Sequence, residues 1–185
     1  MNKKRIVITG GPGTGKTSII RSLEKDDFFC FHEYIRSVTQ EAIQNEDENS
    51  MQSNPIVSVS DPYLFNLQLL EGRVQQYKDG NNRNENVLFY DRGIPDVLAY
   101  MKYFDQECPE DFITTCKQHS YDQIFILPPW EEIYVQDEER YESFEQAQQL
   151  YACLQSIYKE LGYTCIEVPI GPLEERMRFI VKNMI

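Results

Sequence analysis

The feature that most constrains this chain is a glycine-rich segment near its start, GGPGTGKT at residues 10–17. It matches the pattern G-x-x-x-x-G-K-[S/T] in full. A short β-branched run, Arg5–Thr9, precedes the segment and predicts a buried strand. After it, the spacing of Ile19, Ile20 and Leu23 predicts a helix. A strand, a glycine turn and a helix in this order are typical of a phosphate-binding loop in an α/β protein.

The residue types of this loop suit a bound nucleotide. Glycines let successive N–H groups turn inward around phosphate oxygens, and the helix beginning near Gly15 adds its positive end. We expect Lys16 to reach the β- and γ-phosphates and the Thr17 hydroxyl to bind Mg²⁺. The alternative is an ordinary strand–helix turn with an incidental Gly-Lys-Thr. The predicted nucleotide-binding residues are Gly10, Gly11, Pro12, Gly13, Thr14, Gly15, Lys16, Thr17 and Ser18.

The rest of the chain alternates short apolar runs with helical patterns. Further strands are predicted at residues 28–31, 87–91, 124–127 and 163–168. Helices are predicted at residues 15–24, 32–44, 62–77, 94–104, 113–118, 144–161 and 173–184. This alternation predicts one α/β domain over residues 1–185, with a parallel sheet covered by helices on both faces. We expect the polar segment 45–60 to be mobile and the charged stretch 130–142 to form a lid.

Composition excludes several classes of protein. The chain carries 18 Lys and Arg against 30 Asp and Glu, a net charge of −12, which disfavours nucleic acid and anionic lipid as partners. No apolar run approaches the roughly 18 residues of a membrane span, so we expect a soluble, cytoplasmic protein. The five cysteines include no C-x-x-C pair, which argues against a disulfide framework and a zinc site.

A second motif ends the predicted strand at residues 87–91, in the sequence VLFYDRG. Four apolar residues followed by Asp91 are typical of the strand whose carboxylate helps to hold Mg²⁺. Arg92 comes next and is placed to contact the transferring phosphoryl group or the acceptor. The alternatives are that Asp91 caps the following helix and that Arg92 lies on the surface.

Two further charged elements follow strand ends. Glu33 and Arg36 are three residues apart, so they share a face if both are helical. Glu33 would then face the acceptor and Arg36 would bind an anion. The alternative is that the two form a structural ion pair. In DEERYE, residues 137–142, Arg140 is predicted to close over the γ-phosphate, or else to pair with a neighbouring glutamate. We expect Arg73, on the helix after Asp61, to lie on the surface; the alternative is that it faces the acceptor pocket.

These motifs together resemble a P-loop family of ATP-binding proteins labelled AAA, which is related to the nicotinamide-riboside kinase domain of NadR-type regulators. The resemblance is carried by residues 10–17, the E-x-x-R element at 33–36, FYDRGIPD at 89–96, DEER at 137–140 with Phe144, Gly162-Tyr163 and Val168-Pro169. It implies a three-layer P-loop NTPase core with strand order 2-3-1-4-5, which brings Asp91 near Thr17 and the metal. A lid with Arg140 as its one arginine favours a less charged acceptor, such as a nucleoside, over a nucleotide.

The leading hypothesis is a small-molecule kinase that uses ATP and Mg²⁺, with Lys16, Glu33, Asp91, Arg92 and Arg140 as catalytic residues. Either Glu33 or Asp91 would receive the proton of the acceptor hydroxyl. The second hypothesis is a nucleotide-dependent ATPase or switch that acts through a protein partner. GTP stays open as the nucleotide, although the chain has no N-K-x-D segment for reading guanine.

Overall fold

The computed structural model describes residues 3–34, 61–133 and 143–185. Its central sheet has five strands in the order β2-β3-β1-β4-β5, and each neighbouring pair is parallel. The strands are β1 (Lys4–Gly10), β2 (Phe29–Phe31), β3 (Val87–Asp91), β4 (Gln123–Leu127) and β5 (Cys165–Glu167). The predicted fold class and strand order are therefore confirmed.

The described helices are α1 (Lys16–Lys25), α2 (Pro62–Asp79), α3 (Pro95–Tyr103), α4 (Glu110–Gln118), α5 (Phe144–Glu160) and α6 (Leu173–Asn183). Short 3₁₀ turns cover Gly80–Asn82 and Glu131–Ile133. Helix α4 begins earlier than the apolar pattern predicted, because its first turn is acidic and carries no hydrophobic signal. Among these helices, none is long and apolar enough to cross a membrane.

Three expectations fall on parts of the chain outside the described residues. They concern the predicted helix at 32–44 beyond Tyr34, the whole polar segment 45–60, and residues 134–142 of the expected lid. Arg36 and Arg140 belong to these stretches.

The core lies on both faces of the sheet, and the alternation of side chains along each strand explains why. In β1, Val7 packs on one face with helices α2 to α5, whereas Ile6 and Ile8 pack on the other with α1 and α6. Strand β4 follows the same alternation, with Ile124 and Phe125 on opposite faces. Burial on both faces produces the continuous apolar runs that identified these strands in the sequence.

Two helix starts are explained by their capping residues. The Asp61 carboxylate accepts hydrogen bonds from the Tyr63 and Leu64 amides at 3.0 and 3.1 Å, and Pro62 occupies the first turn of α2. Ser143 and Gln146 form a capping box at the start of α5.

The sheet order places the ends of three strands beside one another. Strand β1 lies between β3 and β4, and Ile8 of β1 is in register with Asp91 of β3. Strand β2 pairs with the other edge of β3. The loop after β1, the residue pair Asp91-Arg92 and the segment after β2 therefore share one edge of the sheet, where ligands of open α/β folds bind.

Candidate active site

The glycine-rich loop joins β1 to α1 at this edge. Gly15, the residue before α1, has a φ of +86°, a left-handed conformation that favours glycine. Helix α1 follows directly, so its first N–H groups face the loop without a side-chain cap. This arrangement leaves the helix end available to an anion.

Lys16 lies inside the loop and is buried. Its ammonium donates a hydrogen bond to the Gly11 carbonyl oxygen at 2.7 Å, and the Thr14 hydroxyl donates to the same oxygen at 2.9 Å. Burial, followed by the charge of Arg92, lowers the pKa of Lys16 to about 7, against the opposing effect of nearby carboxylates. A phosphate in the loop would stabilise the protonated form of Lys16.

Asp91 and Thr17 are the two residues predicted to bind Mg²⁺, and both belong to the elements that meet at this lysine. Asp91 ends β3, is buried, and lies close enough to Lys16 to influence its charge. Thr17 is half-buried in the first turn of α1. A hydroxyl and a carboxylate are hard oxygen ligands that suit Mg²⁺, which usually takes one or two carboxylates together with phosphate oxygens.

Arg92 is buried, so the alternative of a surface position is wrong. Its backbone adopts a left-handed conformation with φ of +75°, which is uncommon for a residue with a side chain. The Arg92 guanidinium binds the Glu33 carboxylate through Nε and donates through Nη1 to the Gly10 carbonyl oxygen at 3.2 Å. The same Nη1 lies 3.7 Å from the Asp96 carboxylate.

This ion pair joins the end of β2 to the end of β3 and fixes the charge state of Glu33. Burial alone would raise the pKa of Glu33, but Arg92 and Lys16 together lower it to about 2. Burial would lower the pKa of Arg92, and Glu33 instead holds it well above its usual value. Both groups are therefore charged at neutral pH. Glu33 is a carboxylate held in place as a hydrogen-bond acceptor at the edge of the phosphate loop.

Asp96 is a buried residue of this site to which the sequence analysis assigned no role. Its carboxylate accepts hydrogen bonds from the Thr9 hydroxyl at 2.5 Å, the Tyr158 hydroxyl at 2.5 Å and the Gly93 amide at 3.0 Å. These contacts tie β1 and α5 to the turn that carries Arg92. The sequence feature that could have identified Asp96 is its place in the DRGIPD segment, three residues after Gly93.

Two further arginines are buried near the site, Arg73 and Arg176, and the sequence analysis assigned no role to Arg176. Arg73 of α2, expected on the surface, is buried and donates through Nη1 to the Gly93 carbonyl oxygen at 3.0 Å. The expectation of a surface position is wrong because Arg73 lies one turn after Leu69 and Leu70, which pack in the core, and so shares their side of the helix. Arg176 of α6 is also buried and donates through Nη2 to the Thr14 carbonyl oxygen at 2.8 Å.

The structure thus brings together the glycine loop and four of the five predicted catalytic residues, Lys16, Glu33, Asp91 and Arg92. Arg36 and Arg140 lie outside the described residues, so their predicted roles stay predictions. The glycine loop with its lysine, the carboxylate ending β3 and the sheet order define a P-loop domain resembling nucleoside and nucleotide kinases. The chain belongs to the AAA domain family, whose pattern matches residues 5–176.

Comparison with solved structures gives the same fold. The NadR protein, solved with NAD and AMP-PNP, is 20% identical with a TM-score of 0.68, and the match covers 97% of this chain but 48% of NadR. The deoxyadenosine kinase from M. mycoides is 17% identical with a TM-score of 0.67, covering 96% of this chain and 97% of the kinase. The thymidylate kinase from Ehrlichia chaffeensis is 15% identical with a TM-score of 0.65, covering 98% of each chain.

This chain therefore spans about half the length of NadR and nearly the full length of the two kinases. Identities this low establish a shared fold and leave the substrate open. No curated protein sequence matches the chain significantly.

Proposed function

We propose that this protein is a small-molecule kinase that binds ATP with Mg²⁺ and transfers the γ-phosphoryl group to the hydroxyl of a nucleoside-type acceptor. In this proposal residues 1–185 act as one domain, and the protein works in the cytoplasm. The fold shared with NadR, deoxyadenosine kinase and thymidylate kinase supports the class of reaction.

The observation that carries the proposal is the position of the Glu33–Arg92 ion pair beside the glycine loop. Arg92 contacts Glu33 with its Nε and the Gly10 carbonyl with its Nη1. One guanidinium thus joins the proposed acceptor side, at Glu33, to the glycine loop that would bind the nucleotide. A protein that only binds nucleotide needs the loop, but it does not need a buried, oriented carboxylate at the end of β2. A kinase needs such a group to receive and orient the acceptor hydroxyl.

Each residue then has a role in positioning and in stabilising charge. Lys16 contacts the β- and γ-phosphates, and Thr17 and Asp91 hold Mg²⁺, which when bound offsets the negative charge of the phosphoryl group in transfer. Arg92 stabilises the developing charge, together with Arg140 of the proposed lid. Glu33 orients the acceptor hydroxyl, and Glu33 and Asp91 are the two candidates to receive its proton.

The charges on the acceptor side favour a neutral acceptor. Arg92 already faces two carboxylates, those of Glu33 and Asp96. Arg73 is engaged with the main chain at Gly93. Among the described residues, no excess of positive charge is left on this side for a second phosphorylated ligand, which favours a nucleoside over a nucleotide.

The test is ADP release from Mg·ATP by the purified protein, alone and with a panel of acceptors. The panel contains nicotinamide riboside, deoxyadenosine and other nucleosides, with thymidylate as the charged comparison. We expect strong stimulation by at least one nucleoside and little by thymidylate. Tight nucleotide binding with slow hydrolysis that no acceptor stimulates would contradict the kinase and favour a switch that acts through a protein partner.

A further inference from the structure

Arg176 contacts the glycine loop through a hydrogen bond to Thr14, a residue 162 positions earlier in the chain. Its neighbours on α6, Met177 and Ile180, pack in the same core as the apolar face of α1, and this packing brings the guanidinium to the loop. Arg176 is 5% exposed, and an added Cβ on Gly15 would lie 2.8 Å from its Nη1. The guanidinium therefore fills the space directly behind the Thr14–Gly15 peptide.

The direction of this hydrogen bond has a consequence for the loop. In a trans peptide the carbonyl and the following N–H point in opposite directions. Arg176 donates to the Thr14 carbonyl oxygen, so the N–H of Gly15 in the same peptide points away from Arg176. A glycine peptide with φ of +86° has other accessible orientations, and an external donor selects one of them.

Arg176 has no acidic partner among the described residues that would explain its buried charge. Among the described residues no carboxylate lies within ion-pair distance of it, and its buried Nε has no hydrogen-bond partner. Burial lowers the pKa of Arg176, with no acidic group compensating. A buried guanidinium without a carboxylate is costly, and such a residue is retained where it has a specific task.

We propose that Arg176 is a positioning residue for nucleotide binding, which holds the Thr14–Gly15 peptide so that the Gly15 N–H faces the phosphates. This inference rests on the proposed function, because it assumes that the loop binds a nucleoside triphosphate. It assigns α6, which follows the last strand of the sheet, a part in nucleotide affinity. It gives Arg176 no part in acceptor binding.

The experiment measures the dissociation constant of Mg·ATP and of tripolyphosphate, the phosphate-only probe, by direct titration of purified variants. Arg176→Met removes the donor, Arg176→Gln keeps an N–H donor without charge, and Arg176→Lys keeps both. Arg178→Met, an exposed position on the same helix, is the matched control. We expect Arg176→Met to weaken both probes about tenfold, the effect of losing one charge-assisted hydrogen bond. Arg176→Gln and Arg176→Lys should stay within about threefold of wild type, and Arg178→Met should be unchanged.

Two results would overturn the proposal. One is wild-type affinity in Arg176→Met. The other is affinity restored by Lys but not by Gln, which would mean that the charge acts on the ligand without orienting the peptide. Far-ultraviolet circular dichroism checks folding. If Arg176→Met does not fold, Arg176→Ala replaces it as the variant without a donor, and the comparison of Gln with Lys still overturns the proposal when Lys alone keeps the affinity.

The titration needs no acceptor and no turnover, so it separates the two proposals. Wild-type protein that binds Mg·ATP but phosphorylates no acceptor contradicts the kinase and leaves the test of Arg176 intact. Wild-type protein that binds neither probe contradicts both.

Discussion

At the scale of single residues, the buried cations share one property. Each donates a hydrogen bond to a main-chain carbonyl oxygen in one of two glycine turns, at residues 10–15 or at residue 93. The buried cations of the described chain are Lys16 on Gly11, Arg73 on Gly93, Arg92 on Gly10 and Arg176 on Thr14. In the loop at residues 10–15, cations on the carbonyl oxygens favour N–H groups that face a negatively charged ligand. The Gly93 amide, by contrast, already donates to Asp96.

Lys16 combines this structural contact with the role proposed for it in catalysis. Lys16→Ala should lower turnover at least about 100-fold, because a preorganised charge at the transferring phosphoryl group is lost. Lys25→Ala, exposed at the end of the same helix, should keep normal turnover. The measurement is the steady-state rate of acceptor phosphorylation, with thermal unfolding to show that both variants are folded. Near-normal turnover in Lys16→Ala would contradict the assignment of the site.

Glu33 should contribute to stability in a pH-dependent way. Its pKa is lowered from 4.5 to about 2 in the folded protein, so its contribution is complete above about pH 4.5 and is lost as the pH falls toward 2. Glu33→Gln should therefore lower the free energy of unfolding by about 2 kcal/mol at pH 7, since it weakens a buried, charge-assisted hydrogen bond. The difference from wild type should shrink as the pH falls below about 4.5.

Urea unfolding of both proteins between pH 3 and pH 7 measures this difference. Glu71→Gln, an exposed position on α2, is the control and should behave as wild type throughout. A difference between wild type and Glu33→Gln that stays constant with pH would show that the Glu33–Arg92 pair does not supply it.

The residues that the sequence could identify and those that it could not differ in how far away their partners are. The loop at 10–17 and Asp91-Arg92 are contiguous motifs whose chemistry depends on neighbouring residues and a strand end. Arg73 contacts a carbonyl 20 residues away, and Arg176 one 162 residues away. Every residue has a main-chain carbonyl, so the sequence does not show which carbonyl a distant arginine will contact. Glu33 was found, but its pairing with Arg92 depends on the order of the strands.

At the scale of elements, α2 contains a glycine that helix propensity disfavours and that packing requires. Gly72 lies inside this helix, where alanine would ordinarily be more stable by about 1 kcal/mol. An added Cβ would lie 2.2 Å from the Tyr34 ring, which follows Glu33 directly in the chain. Glycine at this position therefore allows α2 to approach the segment that carries Glu33.

Gly72→Ala should accordingly destabilise the protein by about 1–3 kcal/mol, the usual cost of overpacking, in spite of the gain in helix propensity. In a Tyr34→Ala background the same substitution should stabilise it by about 1 kcal/mol, because the clash is removed and the propensity remains. A double-mutant cycle measured by urea unfolding tests this, and its coupling energy should be clearly different from zero. Additive effects would mean that the ring moves aside without cost.

The elements themselves were largely predictable, and the deviations have physical reasons. Strand β3 and the Asp61-Pro62 start of α2 appear where the sequence placed them, since an apolar run and a capping pair are local signals. Helix α4 starts in an acidic turn that the apolar periodicity could not detect. The strand order is a property of the whole sheet, and resemblance to a family supplied it where periodicity did not.

At the scale of the whole molecule, charge is distributed unevenly. The chain has a net charge of −12, yet the buried cations of its described part gather at one edge of the sheet. An acidic exterior repels extended polyanions, while buried cations at one edge of the sheet can still attract a compact phosphate ligand. This distribution favours a free nucleotide over a nucleic acid as the partner of the glycine loop.

Nucleotide binding should therefore stabilise the folded molecule as a whole. At a concentration of 100 times its dissociation constant, Mg·ATP should add about 2.7 kcal/mol, because it binds the folded chain and not the unfolded one. For a chain of this size that raises the midpoint of thermal unfolding by about 5–10 °C. Differential scanning fluorimetry with Mg²⁺ alone, Mg·ATP and Mg·GTP measures the shift and also determines which nucleotide is preferred. Lys16→Ala should lose most of the shift, whereas Lys25→Ala should keep it; an equal shift in both variants would place the nucleotide somewhere other than the glycine loop.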